Sequence, residues 1–134
     1  TMKLEGGCYC GDVRYEYNGD LGIKGQCFCR ECQHVTGGDS VLILGLTEDG
    51  FQLTKGALKQ FSRSDLESPV TREFCENCGT HVTTRPAPGM LMLKVGSLDD
   101  LSVFDGPQMA IFTCDAQPYH RIPTGIPTFE KMPG

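Results

Sequence analysis

The chain has 134 residues, a length that suits one domain, and its 39% hydrophobic and 22% charged residues are the proportions of an ordinary globular protein. A net charge of −5, without any segment that concentrates lysine and arginine, argues against a nucleic-acid partner. No apolar run reaches the ~18 residues of a membrane helix, and residues 1–7 lack the apolar core of an export signal. We therefore expect one cytoplasmic domain over residues 1–134, without a membrane contact.

Short segments with strand-like patterns predict a mainly β fold. Residues 13–17 alternate apolar and polar side chains, and residues 41–44 form a short buried run. Four more segments bounded by Gly, Pro, Asp or Asn continue the pattern: 51–53, 58–61, 81–84 and 90–95. We expect short antiparallel strands in a small domain.

Little helix is expected. Only residues 30–35 and, after the capping residue Ser97, residues 97–101 suit a helical turn. Residues 107–134 hold five of the eight prolines and show little periodicity. This last segment is therefore expected to wrap around the domain irregularly.

Eight cysteines are the most informative feature of the sequence. Seven of them form three clusters: Cys8-x-Cys10, Cys27-x-Cys29-x-x-Cys32 and Cys75-x-x-Cys78. In a reducing compartment such clusters are metal ligands, with zinc the leading candidate, rather than disulfides. A disulfide framework is the alternative if the protein is exported.

Two of the clusters are pairs, and each pair suits half of a tetrahedral site. Residues two apart in a strand point to the same face, so Cys8 and Cys10 can reach one ion. The turn of Cys75-x-x-Cys78 brings both sulfurs to about 2.3 Å from a shared metal, and Gly79 supplies the backbone freedom that this turn needs. Joining the two pairs predicts a closed, structural zinc site.

The third cluster offers only three ligands, Cys27, Cys29 and Cys32. Three protein ligands plus one exchangeable position is the arrangement of catalytic zinc sites. A thiol bound at such a position is deprotonated at neutral pH. The sequence therefore predicts two zinc ions, one structural and one that activates a small-molecule thiol.

Two other arrangements compete with this division. A zinc-ribbon pairing would join Cys29 and Cys32 to Cys75 and Cys78, and would leave three of the clustered cysteines without a metal. The eighth cysteine, Cys114, either closes the second site as a fourth ligand or is a small buried hydrophobe.

The sequences around the cysteines resemble those of the glutathione-dependent formaldehyde-activating enzyme and centromere protein V family. The resemblance covers about residues 4–130 and lies in residues 7–15, 27–32, 36–37, 74–80 and 125–130. Ala110 stands where many members have His, and Tyr119 where Trp is common.

The resemblance implies a zinc-bearing β-tent fold and the same division of the cysteines. It implies a structural zinc on Cys8, Cys10, Cys75 and Cys78, and a catalytic zinc on Cys27, Cys29 and Cys32. For the named enzyme it implies a carbon–sulfur lyase activity that joins glutathione and formaldehyde into S-hydroxymethylglutathione.

The resulting hypothesis is an enzyme whose bound thiol attacks a small aldehyde. Glu31 or His34, close to Cys32 in sequence, would supply a proton to the hemithioacetal oxygen. Arg30 and Lys24 could attract the carboxylates of glutathione. The alternatives are a non-catalytic zinc module that binds a protein partner, and a sensor of thiols or electrophiles.

Overall fold

The computed structural model describes residues 2–133. Within them, ten strands form a three-stranded sheet in the order β1-β2-β5 and a seven-stranded sheet in the order β10-β3-β4-β9-β8-β7-β6. The strands are β1 (Met2–Gly7), β2 (Arg14–Gly19), β3 (Lys24–Cys27), β4 (Val41–Thr47), β5 (Phe51–Lys55), β6 (Lys59–Phe61), β7 (Thr71–Phe74), β8 (His81–Arg85), β9 (Met90–Lys94) and β10 (Met109–Ile111). All pairs are antiparallel except β10 with β3. The predicted mainly β fold of short antiparallel strands is confirmed.

The main core lies between the two sheets. Tyr15 and Tyr17 of β2 are completely or almost completely buried there against Leu44 of β4 and Leu91 and Leu93 of β9. Burial of each such side chain contributes about 1.5–3 kcal/mol, which makes this core the main source of stability.

Strict alternation in β9 gives the seven-stranded sheet two different faces. Leu91 and Leu93 point into the main core, whereas Met90, Met92 and Lys94 belong to the other face, as expected for a period of two. The second face carries a separate cluster of buried side chains that includes three cysteines. The three-cysteine cluster Cys27, Cys29 and Cys32 therefore lies on this face.

The one α-helix of the described residues is α1 (Arg30–Thr36). Cys29 is its N-cap, and the sulfur of Cys29 accepts a hydrogen bond from the backbone N–H of Cys32; Gly37 is its C-cap and adopts a left-handed φ of 85°. The helix predicted over residues 30–35 is therefore confirmed. No helix in residues 2–133 is long and apolar enough to cross a membrane.

Two local predictions are wrong. Strand β1 ends at Gly7, so Cys8 and Cys10 lie in the turn that follows it rather than in a strand. Residues 97–101 do not form one helical turn, because separate 3₁₀ turns occupy Val95–Ser97 and Leu101–Val103. The backbone N–H of Leu98 already bonds to Val95 within the first of these turns, so the next turn starts again at the side-chain cap of Asp100.

The C-terminal segment, predicted as irregular over residues 107–134, contains strand β10 and the 3₁₀ turn Thr113–Asp115, and only the part after them is irregular and runs back beside β10. The N–H of Ala110 donates to the carbonyl of Pro127, and the N–H of Phe129 donates to the carbonyl of Ala110. These bonds hold the tail against the edge of the seven-stranded sheet. Prolines and glycines elsewhere in the tail prevent a longer strand.

Candidate metal centres and the adjoining cavity

The four-cysteine cluster joins two turns that are far apart in sequence. Cys8 and Cys10 follow β1, and Cys75 and Cys78 follow β7. All four sulfurs lie within 4.8 Å of one another, and the sulfur of Cys10 is 3.6 Å from that of Cys8 and 3.8 Å from that of Cys75. Four sulfurs at about 2.3 Å from one tetrahedral zinc are about 3.8 Å apart. The spacing therefore fits a zinc ion.

Hydrogen-bond donors surround these four sulfurs. The backbone N–H of Val13 donates to Cys8 at 3.2 Å, and the side-chain amide of Asn77 donates to Cys10 at 3.3 Å. The hydroxyl of Thr80 lies 3.2 Å from the sulfur of Cys78 and lowers the pKa of that thiol to about 5. Donors of this kind stabilise thiolates and orient metal ligands.

Gly79 has the role that the sequence predicts for it. Its φ of 79° lies in the left-handed region, and its N–H donates to the carbonyl of Cys75 at 2.8 Å. A side chain at this position would strain the turn, because L residues seldom adopt this conformation. The glycine therefore permits Cys75 and Cys78 to share one site.

The three-cysteine cluster is local and buried. Cys27 ends β3, Cys29 caps α1, and Cys32 lies in the first turn of α1. The sulfurs of Cys29 and Cys32 are 3.1 Å apart, and all three sulfurs lie within 4.8 Å of one another. The strand end and the helix start thus form one compact set of donors.

The close approach of these sulfurs shifts the pKa values of the three thiols in opposite directions. Hydrogen bonds from Cys29 and Cys32 lower the pKa of Cys27 to about 3, and the same contact raises the pKa of Cys29 and of Cys32 above the ordinary thiol value. A thiolate at Cys27 therefore disfavours a second thiolate in this buried space. A cation such as Zn²⁺ would favour the deprotonation of all three.

The second cluster has no fourth protein ligand. Among residues 2–133, no other His, Cys, Asp or Glu donor atom joins Cys27, Cys29 and Cys32. Cys114 is exposed, and its sulfur lies 3.9 Å from the carboxylate of Asp115, so it is neither the fourth ligand nor a buried hydrophobe. Both predictions for Cys114 are wrong, because the 3₁₀ turn Thr113–Asp115 directs its side chain outward.

Neither competing arrangement of the cysteines is formed. The zinc-ribbon pairing fails because the Cys29 and Cys32 sulfurs belong to a different group from those of Cys75 and Cys78. All eight cysteines of the chain are free of disulfides.

A cavity of about 370 Å³ opens beside the three-cysteine cluster. Its wall is mostly apolar and comes from the second face of the large sheet, from the start of α1, from the loop between β6 and β7, and from the segment after β10. The wall includes Ile23, Ile43, Met90, Met92, Ile111 and Phe112. Cavities of this volume are typical of small-molecule sites.

Comparison with protein families identifies the chain. Residues 3–115 match the family described as the glutathione-dependent formaldehyde-activating enzyme. The chain belongs to this family. The match contains all eight cysteines, whereas the last motif of the predicted resemblance, residues 125–130, lies beyond it.

Structural comparison agrees with a shared fold. A crystal structure of a Rhodobacter sphaeroides protein, a structural genomics target, superposes with a TM-score of 0.60 at 17% identity, covering 94% of this chain and 99% of the other. At this identity the likeness concerns the fold alone. No curated protein matches the sequence.

The two predicted acid–base residues of this formaldehyde-activating family member have different positions. Glu31 lines the cavity, and its carboxylate lies 3.8 Å from the guanidinium of Arg63. His34 is exposed, its Nδ1 lies 2.8 Å from the carbonyl oxygen of Arg30, and it does not line the cavity. Glu31 therefore remains a candidate and His34 does not.

The predicted carboxylate-binding cations are engaged elsewhere. Lys24 pairs with Asp105 at 3.0 Å, and the guanidinium of Arg30 bonds to the side-chain amide of Gln33. Neither residue lines the cavity beside the cysteines. The attraction of glutathione by this pair is thus not supported.

Sequence reasoning missed the cations that do line the cavity. Lys94 is 8% exposed and interacts electrostatically with all three thiols of the cluster, and Arg72 lines the same wall. Burial lowers the pKa of Lys94, while the thiolate charge of Cys32 opposes this effect. The signal was present in the sequence, because Lys94 takes a methionine's place in the alternating run of β9.

Proposed function

We propose that the protein is a zinc-dependent, carbon–sulfur lyase-type enzyme of the cytoplasm that activates a thiol, glutathione or a similar one, for addition to formaldehyde or another small aldehyde. The observation that carries the proposal is the three-cysteine cluster, which faces a cavity and has no fourth protein ligand among residues 2–133. Membership of the formaldehyde-activating family supports the substrate class.

The two clusters are proposed to hold two zinc ions per chain with different roles. Cys8, Cys10, Cys75 and Cys78 would bind a structural zinc, and Cys27, Cys29 and Cys32 a catalytic one. Zinc held by these three cysteines would supply Lewis-acid chemistry that lowers the pKa of a substrate thiol toward neutral pH.

The residues of the cavity then determine the addition step. The substrate sulfur forms a bond to the carbonyl carbon, the π pair of the carbonyl moves to its oxygen, and that oxygen takes up a proton. Lys94 is the buried cation in the same cavity, and its ammonium group stabilises the negative charge as it develops on the oxygen.

Glu31 is the group proposed to carry the proton. It lines the cavity and its side chain is 43% exposed, so it can exchange a proton with solvent and deliver it to the oxygen. Its contact with Arg63 holds the carboxylate at the cavity wall. The apolar wall excludes competing water from the rest of the site.

The test is the rate of exchange between ¹³C-formaldehyde and its glutathione adduct in the presence of the zinc-loaded protein. NMR exchange spectroscopy measures this rate. We expect a metal content near two zinc ions per chain and an exchange rate above the uncatalysed one. A Cys29→Ser variant should lose the acceleration, whereas Cys114→Ser, which removes the one cysteine outside both clusters, should retain it.

A reproducible metal content near one would refute the two-site division. An unaccelerated exchange with two zinc ions present would favour a non-catalytic interaction module or a thiol or electrophile sensor.

A further inference from the structure

The cavity wall favours a ligand that is more apolar than glutathione and larger than formaldehyde. Glutathione carries two carboxylates, one ammonium group and two amides, all of which need polar partners when they are buried. Formaldehyde has two non-hydrogen atoms and needs no cavity of about 370 Å³. Most of the side chains here are aliphatic, aromatic or thioether groups, so the wall favours a hydrocarbon body.

The apolar surface continues to the mouth of the cavity. Four large hydrophobic side chains of its lining are more than one third exposed: Phe61, Leu66, Met90 and Met132. Exposed apolar side chains gathered around a concave site indicate an apolar ligand. The mouth can therefore bind the part of a ligand that extends beyond the enclosed volume.

One corner of the cavity is polar, and a buried hydroxyl group there has no hydrogen-bond partner. Arg72 of β7 pairs in register with Thr84 of β8, and both side chains line the cavity. Thr84 is 7% exposed, and its hydroxyl oxygen is buried without a hydrogen-bond partner. An unpaired buried hydroxyl is unfavourable, so this atom indicates a ligand group.

The charges at this corner call for an anion. None of the ion pairs in residues 2–133 involves Arg72 or Lys94. Three thiolates that hold a divalent cation would have a net charge of −1, and the charge of Lys94 would offset it. Arg72 is then the cation without a counterion, directly beside the unpaired hydroxyl of Thr84.

We propose that the cavity binds a ligand with an apolar body of several carbons and one carboxylate, which Arg72 and Thr84 hold. The inference rests on the proposed function in one respect, because the reacting thiol or aldehyde group of the ligand would lie at the three-cysteine end. The ligand is then an ω-mercapto or ω-oxo carboxylic acid in place of one of the two small substrates.

Calorimetric binding to the zinc-loaded protein tests the site without turnover. Probes without a reactive group are hexanoate and octanoate, each compared with the alcohol of equal length. We expect each added methylene to tighten binding about fourfold until the cavity is filled, and each carboxylate to bind at least tenfold more tightly than its alcohol. Binding that ignores chain length, or equal binding of acid and alcohol, would overturn the proposal.

Variants locate the carboxylate. Arg72→Gln and Thr84→Val should each weaken octanoate binding, by about tenfold or more for Arg72→Gln, and should leave octanol binding unchanged. Lys3→Gln, which removes a positive charge outside the cavity, is the control and should bind like the wild type. Wild-type octanoate affinity in both cavity variants would reject the assignment, and the acid–alcohol comparison holds even if one variant fails to fold.

Octanoates with a terminal thiol or aldehyde group show which of the two reacting groups the ligand carries. Under the proposal, either 8-mercaptooctanoate or 8-oxooctanoate binds more tightly than octanoate, and the tighter of the two shows whether the thiol or the aldehyde carries the chain. If neither improves on octanoate while the formaldehyde–glutathione exchange is still accelerated, the proposed function stands and this inference is wrong.

Discussion

The four-cysteine cluster is partly exposed at the surface, with Cys10 open to solvent, whereas the three-cysteine cluster is buried on every member. Yet the exposed cluster brings together four sulfurs, enough for a tetrahedral site, whereas the buried cluster brings together three. Under the proposed roles, access to a metal site depends on the number of protein ligands and on the adjoining cavity rather than on the exposure of the cysteines. The surface site would stabilise the fold, and the buried site would bind the substrate.

The strongest test of the two proposed roles is to remove one cysteine from each cluster. Cys75→Ser should abolish cooperative unfolding, because structural zinc sites contribute about 10 kcal/mol or more of folding free energy. Cys29→Ser should keep a cooperative transition, since the main core between the sheets is separate from its cluster. Urea unfolding followed by circular dichroism measures both. Equal loss of cooperativity would contradict the division of roles.

The residues between the cysteines give the second contrast. Cys8-Tyr9-Cys10 and Cys27-Phe28-Cys29 have the same spacing, but Tyr9 is 93% exposed and Phe28 is 0% exposed. Phe28→Ala should reduce the free energy of unfolding by about 3–5 kcal/mol, and Tyr9→Ala by less than about 0.5 kcal/mol. Denaturant unfolding of zinc-loaded variants is the measurement. Similar losses would mean that the two segments do not differ as described.

A substitution at Lys94 tests the proposed chemistry beside the three-cysteine cluster without removing a cysteine. Replacement of Lys94 by Met keeps the length of the side chain and removes the buried charge. It should lower kcat/KM for thiol addition about 100-fold, because the negative charge that develops on the aldehyde oxygen is no longer stabilised. The zinc content should stay at the wild-type value, because Lys94 is not a ligand. An unchanged kcat/KM with full zinc content would exclude this role.

An effect smaller than those at Cys75, Phe28 and Lys94 is expected in β7, the strand that leads to Cys75. Burial would raise the pKa of Glu73, but hydrogen bonds from Gln60, Thr83 and Arg85 hold it below the ordinary value. A lowered pKa in the folded state means that ionised Glu73 stabilises the fold above the unfolded-state pKa, and that this contribution is lost as the pH falls through the folded-state pKa.

Glu73→Gln should therefore cost about 2 kcal/mol at pH 7. The difference from wild type should shrink as the pH falls below about 4. Unfolding free energies of both proteins across this range provide the check, since the loss of thiolate charge affects them equally. A difference that does not change with pH would show that the carboxylate charge is unimportant.

The grouping of the cysteines could be predicted from sequence because each ligand set is built from short local motifs with fixed geometry. The cavity could not, because Arg72, Thr84 and Lys94 lie on three strands and meet only through strand register. Strand β3 also escaped prediction, since Lys24-Gly25-Gln26-Cys27 lacks β-branched residues, and tertiary pairing overrides that weak local preference. Tyr9 and Phe28 show that equal spacing does not reveal burial.

The sequence separation of the ligands also sets an order of events during synthesis. Cys27, Cys29 and Cys32 leave the ribosome within six residues of one another, whereas Cys10 must wait for Cys75, which lies 65 residues further along the chain. At about 5–20 residues per second, several seconds separate the completion of the two ligand sets. The three-cysteine set is thus complete before the four-cysteine set, and under the proposed roles it would be the first of the two to meet zinc in the cell.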